Sequence, residues 1–150
     1  MANKQREPQP DSVGAWAKRC YLAGRAAMEA MLRPYGLGTT QWYVLFHLAQ
    51  QGPTMQRDLV KALQVERATL STIVSVLVGK GLVEQVPDPV DLRQKRLRMT
   101  AAGARLWKSL PDLAVIHDVA FKGMEASDVA AAVRVLQAAT ERLEKHIDRS

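Results

Sequence analysis

Apolar residues recur at spacings of three and four along most of the chain, and the recurrence breaks at a few prolines and glycines. From Val13 to about Leu32, the residues Trp16, Cys20, Ala23, Ala27 and Met31 fall on one helical face. Arg33-Pro34-Tyr35-Gly36 ends that helix, because Pro34 disfavours helical backbone at the residue before it. A second helix runs from Gly38 or Thr39 to about Gln50, with Trp42, Leu45, Phe46, Leu48 and Ala49 as its apolar set. Gln51-Gly52-Pro53 breaks it. The pattern predicts that Thr54 caps a third helix carrying Leu59, Val60 and Leu63. A fourth helix follows from about Arg67 to Lys80, with Leu70, Ile73, Val74 and Leu77 inward, and Gly81 suits the left-handed position after it.

The period then changes. Leu82 to Val86 is short and β-branched, Pro87-Asp88-Pro89-Val90-Asp91 is a turn, and Arg96 to Met99 alternates as a returning strand. Thr100 starts a helical stretch with Leu106, Leu110, Leu113, His117 and Phe121 on one face. Pro111 splits it and Gly123 ends it. A last helix after Glu125 carries Val129, Val133, Leu136, Thr140, Leu143 and Ile147.

The expected fold is therefore mainly α with a small β-hairpin wing. A winged helix-turn-helix spans residues 37–100, helices at 12–36 and 101–148 flank it within one integrated domain, and residues 1–11 form a disordered tail. The outer stripes are longer than the middle can cover. A second copy of the chain is the simplest cover, so a homodimer is expected, with residues 12–36 and 101–148 as its dimerisation region.

At 150 residues, 47% apolar and 24% charged, the chain can build a core without a disulfide or a metal. No apolar run approaches the ~18 residues of a membrane span, and no membrane partner is expected. The polar N-terminus lacks the apolar segment of a secretory signal, and one cysteine makes no intrachain disulfide. These features together imply a cytoplasmic protein. The net charge of +6 favours an anionic partner, nucleic acid first.

The position of that charge carries more than its sum. The third and fourth helices, separated by Leu63-Gln64-Val65, have the spacing of a DNA-binding helix-turn-helix. Arg67, Ala68, Ser71, Thr72 and Ser75 face outward on the fourth. Small hydroxyls, one methyl and one long donor suit close approach to base edges in a major groove. The expected contacts to double-stranded DNA also include Thr69, with Thr54, Gln56 and Arg57 at the start of the third helix. Arg93, Lys95, Arg96 and Arg98 crowd the hairpin, where a wing reaches a minor groove. Arg93, Lys95 and Arg96 are expected on DNA, and Asp91 supports the wing by pairing with Arg93.

Arg67-Ala68-Thr69-Leu70-Ser71, with Leu77 and Lys80-Gly81-Leu82-Val83 after it, resembles the recognition helix and following strand of the MarR family of bacterial transcription regulators. Asp88 to Lys95 resembles that family's wing, and Leu97-Arg98-Met99-Thr100 with Gly103 resembles the segment behind it. Gln41-Trp42 and Val44-Leu45 are similar to its second helix. The resemblance implies a homodimer on a pseudo-palindromic operator, usually a repressor that a small molecule or an oxidant releases. Leu92 departs from the pattern, where the family often has a second arginine.

A ligand pocket is expected from Trp16, Arg19, Tyr21 and Arg25 on the first helix, with Trp42, Tyr43 and His47 on the second. Aromatic rings with arginine suit a small aromatic acid. Cys20 has two readings. Some relatives use a first-helix cysteine as a redox switch, but the apolar stripe places Cys20 beside Trp16, Ala23 and Ala27, a setting that raises a thiol pKa. Lys18 and Arg19 lie about 200° and 100° away around the helix. No cofactor or metal site is expected, since His47, His117 and His146 lie on separate helices. No nucleophile, acid–base pair or phosphate loop points to an enzyme. A winged-helix module that binds protein is the other alternative, but it would not need the basic wing.

Overall fold

The computed structural model describes residues 9–150; of the expected tail, residues 1–8 lie outside the described part. The elements are α1 (Val13–Leu32), α2 (Thr39–Gln51), β1 (Thr54–Met55), α3 (Gln56–Leu63), α4 (Arg67–Gly79), β2 (Val83–Pro87), β3 (Lys95–Met99), α5 (Ala101–Ser109), α6 (Ala114–Phe121) and α7 (Ala126–Asp148). A single 3-10 turn at Arg33–Tyr35 follows α1. The described residues fall into two compact units that divide after Asp112.

Local chemistry sets the boundaries in the first unit. The Ser12 hydroxyl accepts from the Ala15 amide at 3.1 Å and starts α1. Gly36, at φ 65°, closes the turn after Pro34. Gly81, at φ 72°, ends α4, and the Leu82 amide reaches back to the Leu77 carbonyl at 3.0 Å. The Thr100 hydroxyl accepts from the Gly103 amide at 3.0 Å and donates to the Gly81 carbonyl at 2.6 Å, so α5 starts pinned to the end of α4. Gly103 itself lies so close to the Leu82 carbonyl that an added Cβ would sit 2.1 Å from the oxygen.

The core of this unit is aliphatic. Val44, Leu45 and Leu48 of α2, Leu59 of α3, and Leu70, Val74 and Leu77 of α4 meet Val83 and Leu97 of the sheet, all buried. Burying such a side chain is worth about 1.5–3 kcal/mol relative to leaving it in water. Residues 101–112, grouped with the outer helices on sequence, pack here. Trp107 of α5 lies 5.6 Å from Trp42, and Trp42 stacks on Phe46 at 5.1 Å.

The sheet has three strands in the order β1-β3-β2, all antiparallel. The sequence pattern predicts only the β2–β3 hairpin, with Thr54 as a helix cap. Thr54 instead pairs with Leu97, its hydroxyl donates to the Gly52 carbonyl at 2.8 Å, and Met55 precedes α3 without a side-chain cap. The reason is the free edge of β3, whose backbone groups are satisfied by this two-residue strand.

The second unit consists of α6 and α7. Neither helix has a buried residue. Gly123, at φ 90°, turns the chain between them. Leu136, Leu143 and Ile147 of α7 are 41%, 63% and 70% exposed.

Candidate nucleic-acid interface

The fourth helix presents the surface that its sequence promised. Leu70, Val74 and Leu77 are buried and Ile73 is half-buried. Arg67, Ala68, Thr69, Ser71, Thr72 and Ser75 are all exposed. The α3–α4 turn brings Gln64 to φ 52°, a left-handed conformation that costs a non-glycine residue about 1–2 kcal/mol. The Val65 amide donates to the Val60 carbonyl across that turn at 3.4 Å.

A polar row links this helix to the sheet. The Gln56 amide group lies 3.5 Å from the Ser71 hydroxyl, and Gln85 donates to Gln56 at 3.1 Å. Gln56 is thus oriented beside the recognition face. Arg57 and Arg67 are exposed and make no ion pair among the described residues. Thr54 is half-buried, with its hydroxyl already occupied by Gly52. The Thr72 hydroxyl donates to the Ala68 carbonyl at 3.1 Å, and its oxygen remains available to accept.

In the wing, the side chain of Arg93 is 95% exposed. Asp91 accepts from the Arg93 amide at 3.1 Å, and its carboxylate lies 4.0 Å from the Arg93 guanidinium. Lys95 is exposed as well. Arg96 is different: it is half-buried and turned onto Asp88 at 3.2 Å, and its Nε is buried without a hydrogen-bond partner among the described residues. Arg98 pairs with Glu84 directly across the β2–β3 ladder.

Sequence reasoning missed Asp88, which it treated only as a turn residue. Asp88 is 7% exposed. Its carboxylate accepts from the amides of Asp91 at 2.9 Å and Val90 at 3.1 Å, besides Arg96. The Asp91 amide first, then Val90 and Arg96, hold its carboxyl below the ordinary aspartate pKa against the opposing effect of burial. The Asp-x-x-Asp spacing of Asp88 and Asp91, with a returning arginine on the next strand, was the available signal.

The seven expected pocket residues fall into separate groups. Arg19 lies over the Trp16 ring at 4.8 Å. Arg25 meets the Tyr21 hydroxyl at 3.5 Å and Glu29 at 3.4 Å, and both partners stabilise its charged form. Trp42 and Tyr43 meet edge to face at 5.2 Å, and His47 is half-buried on the same helix. Arg25 also lines an open cleft of about 280 Å³ with Thr39, Thr40, Gln41 and Ile73. Cys20 is corrected by the structure. Expected in an apolar setting, it is exposed, as are Trp16 and Ala23 beside it, because that face of α1 packs on no other element of its own unit.

An exposed small-polar helix, a turn and a second helix before it, and a basic antiparallel wing after it define a winged helix-turn-helix protein. Residues 35–94 match the model of the MarR family. The transcriptional repressor NicR of Pseudomonas putida KT2440 is 28% identical over 85% of this chain and 81% of its own length. Among solved structures, BpsR of Bordetella bronchiseptica, whose DNA binding is regulated by 6-hydroxynicotinic acid, superposes with a TM-score of 0.78 at 25% identity. That likeness covers 91% of this chain and 98% of BpsR. A MarR variant from E. coli, complexed with operator DNA, gives 0.76 at 24% identity over 85% of this chain and 92% of its own. Over its winged region the chain is thus similar to the MarR family of transcription regulators, which are DNA-binding proteins and not enzymes.

Proposed function

We propose that the protein is a homodimeric repressor that binds a pseudo-palindromic operator and is released by a small aromatic acid. One observation carries the DNA reading: Arg93 and Lys95 on the wing, and Arg67 on α4, are exposed cations without a buried role, on the same compact unit as the hydroxyl face of α4. In this reading α4 enters a major groove through Arg67, Ala68, Thr69, Ser71, Thr72 and Ser75. Gln56, Arg57 and Thr54 approach the flanking backbone, and Arg93 enters the adjacent minor groove with Lys95 behind it, while Arg96 stays turned onto Asp88.

The uncovered stripes of α1 and α7 support a second copy as the missing half of the interior, with residues 12–36 and 101–148 as the dimerisation region around the DNA-binding region 37–100. That half would also complete a pocket at Trp16, Arg19, Tyr21, Arg25, Trp42, Tyr43 and His47. The ligand class rests on the aromatic rings and arginines there and on the aromatic acid that regulates BpsR. A cytoplasmic location follows from the operator; among the described residues no helix is long and apolar enough to cross a membrane.

The test is a gel shift on DNA upstream of the protein's own gene, with and without 6-hydroxynicotinic acid and related aromatic acids. Arg93→Ala should weaken operator binding by about 1–3 kcal/mol with the circular dichroism spectrum unchanged. Equal affinity in the folded variant would refute the wing as a DNA contact.

A further inference from the structure

The tip of the wing is the loop 88–94, two aspartates, one arginine, one glutamine and three apolar residues, beyond the last β2–β3 pair, Pro87 with Lys95. Such a loop would sample many shapes, and an arginine at its tip would lose much of its contact energy to ordering. Here one side chain closes it. The Asp88 amide donates to the Gln94 carbonyl at 3.0 Å, joining the two ends of the loop. Its carboxylate takes the amides of Val90 and Asp91 through Oδ2, and Oδ1 takes Arg96 from β3. Asp91, fixed by that bond, then accepts the Arg93 amide, while the Gln94 amide donates to the Asp91 carbonyl at 3.0 Å. Every one of these bonds lies within residues 88–96, and none involves the core. Val90 and Leu92 are 95% and 76% exposed, so apolar packing does not hold the loop either.

We propose that Asp88 is the positioning residue of the wing: its carboxylate fixes loop 88–94 and folds Arg96 back, and so aims Arg93 at the DNA without touching it. The inference rests on the wing reading above and goes beyond it by assigning the aim of Arg93 to a buried acid. It also removes Arg96 from the free phosphate-binding cations, since its guanidinium is held by Asp88.

Electrostatics alone gives the opposite sign. Asp88 is an anion beside a surface that binds a polyanion, so its removal should strengthen binding if charge were its whole effect. A fixed wing predicts weakening. Asp88→Ala should lower operator affinity roughly tenfold, and Asp88→Asn, which keeps an acceptor for the loop amides but loses the ion pair, should fall between it and the wild type. The defining measurement is the same substitution in an Arg93→Ala background. If Asp88 acts through Arg93, Asp88→Ala costs less than about twofold there, because coupled residues are not additive. Thermal melts of all four proteins should agree within a few degrees; should Asp88→Ala not fold, the Asn variant carries the cycle. Tighter or unchanged binding by the Asp88 variants overturns the proposal, as does the same loss in both backgrounds. If Arg93→Ala alone binds like wild type, the wing reading itself has failed, a different and recognisable result.

Discussion

The winged region and the outer helices are written in the same aliphatic residues, yet only one of them uses those residues within this chain. Leu45, Leu59, Leu70, Leu77 and Leu97 of the winged region are completely buried, while α7 buries nothing and leaves Leu136, Leu143 and Ile147 largely in water. α1 resembles α7, with Leu32 alone buried at its end. The difference does not lie in hydrophobicity. It lies in whether short connections bring another apolar face alongside. Between α2 and α5 the longest break in helix and strand is the wing loop, so each stripe finds a partner close in sequence. The 23 residues of α7 carry a stripe along their whole length, and none of them is buried. In the proposed dimer, a stripe of that kind is the interior that the second chain completes.

The sharpest way to break this contrast is to charge the open stripe. Leu136→Asp with Leu143→Asp should leave the winged region folded and abolish the dimer, raising its dissociation constant at least a hundredfold, about 3 kcal/mol. Sedimentation equilibrium reads this directly, and an intact dimer would show that α7 faces solvent. Paired truncations sharpen it. Leu70→Ala should cost about 2–5 kcal/mol of unfolding free energy at any protein concentration, by leaving a cavity. Leu143→Ala should cost about 2 kcal/mol, and its melting temperature should rise with concentration, as expected for a contact made between chains. Denaturant titrations at two concentrations separate the two cases. The smallest effect belongs to Gln64. Gln64→Gly relieves left-handed strain but loosens the unfolded chain, for a net gain of about 0.5 kcal/mol in urea. A loss would mean that the helix-turn-helix does not store strain at that turn.

Much of the fold was legible in the sequence because its punctuation is local. Pro34, Gly36, Gly81, Pro111 and Gly123 stand where helices end, and the inward and outward faces of α4 separate by period alone. The remainder depended on partners distant in sequence. β1 is two residues long, too short to show a period, and exists because Leu97 and Arg96 of β3 offer it a ladder. Asp88 reads as a turn former until Arg96 returns beside it. Cys20 sits on a stripe that is correct as a pattern, but the pattern did not say whether this chain would cover it. Of the proposed interface, the exposed polar face of α4 was readable. Which basic residues remain free was not, because Arg96 and Arg98 are already paired with Asp88 and Glu84.

The two residues of β1 give the DNA-reading head its mechanics. Met55 leads directly into α3, and β1 is bonded to β3, the strand that carries the wing's returning arm. The wing is therefore not a flap on its own hinge. A displacement of α3 is transmitted through β1 to β3, and α4 travels with the same body through Leu77 and Leu82. Groove-reading helix and groove-reading loop share one set of rigid-body coordinates. In the proposed homodimer an operator would then test a single variable, the placement of one head relative to the next, and an effector would need to change only that placement for both grooves to be released together.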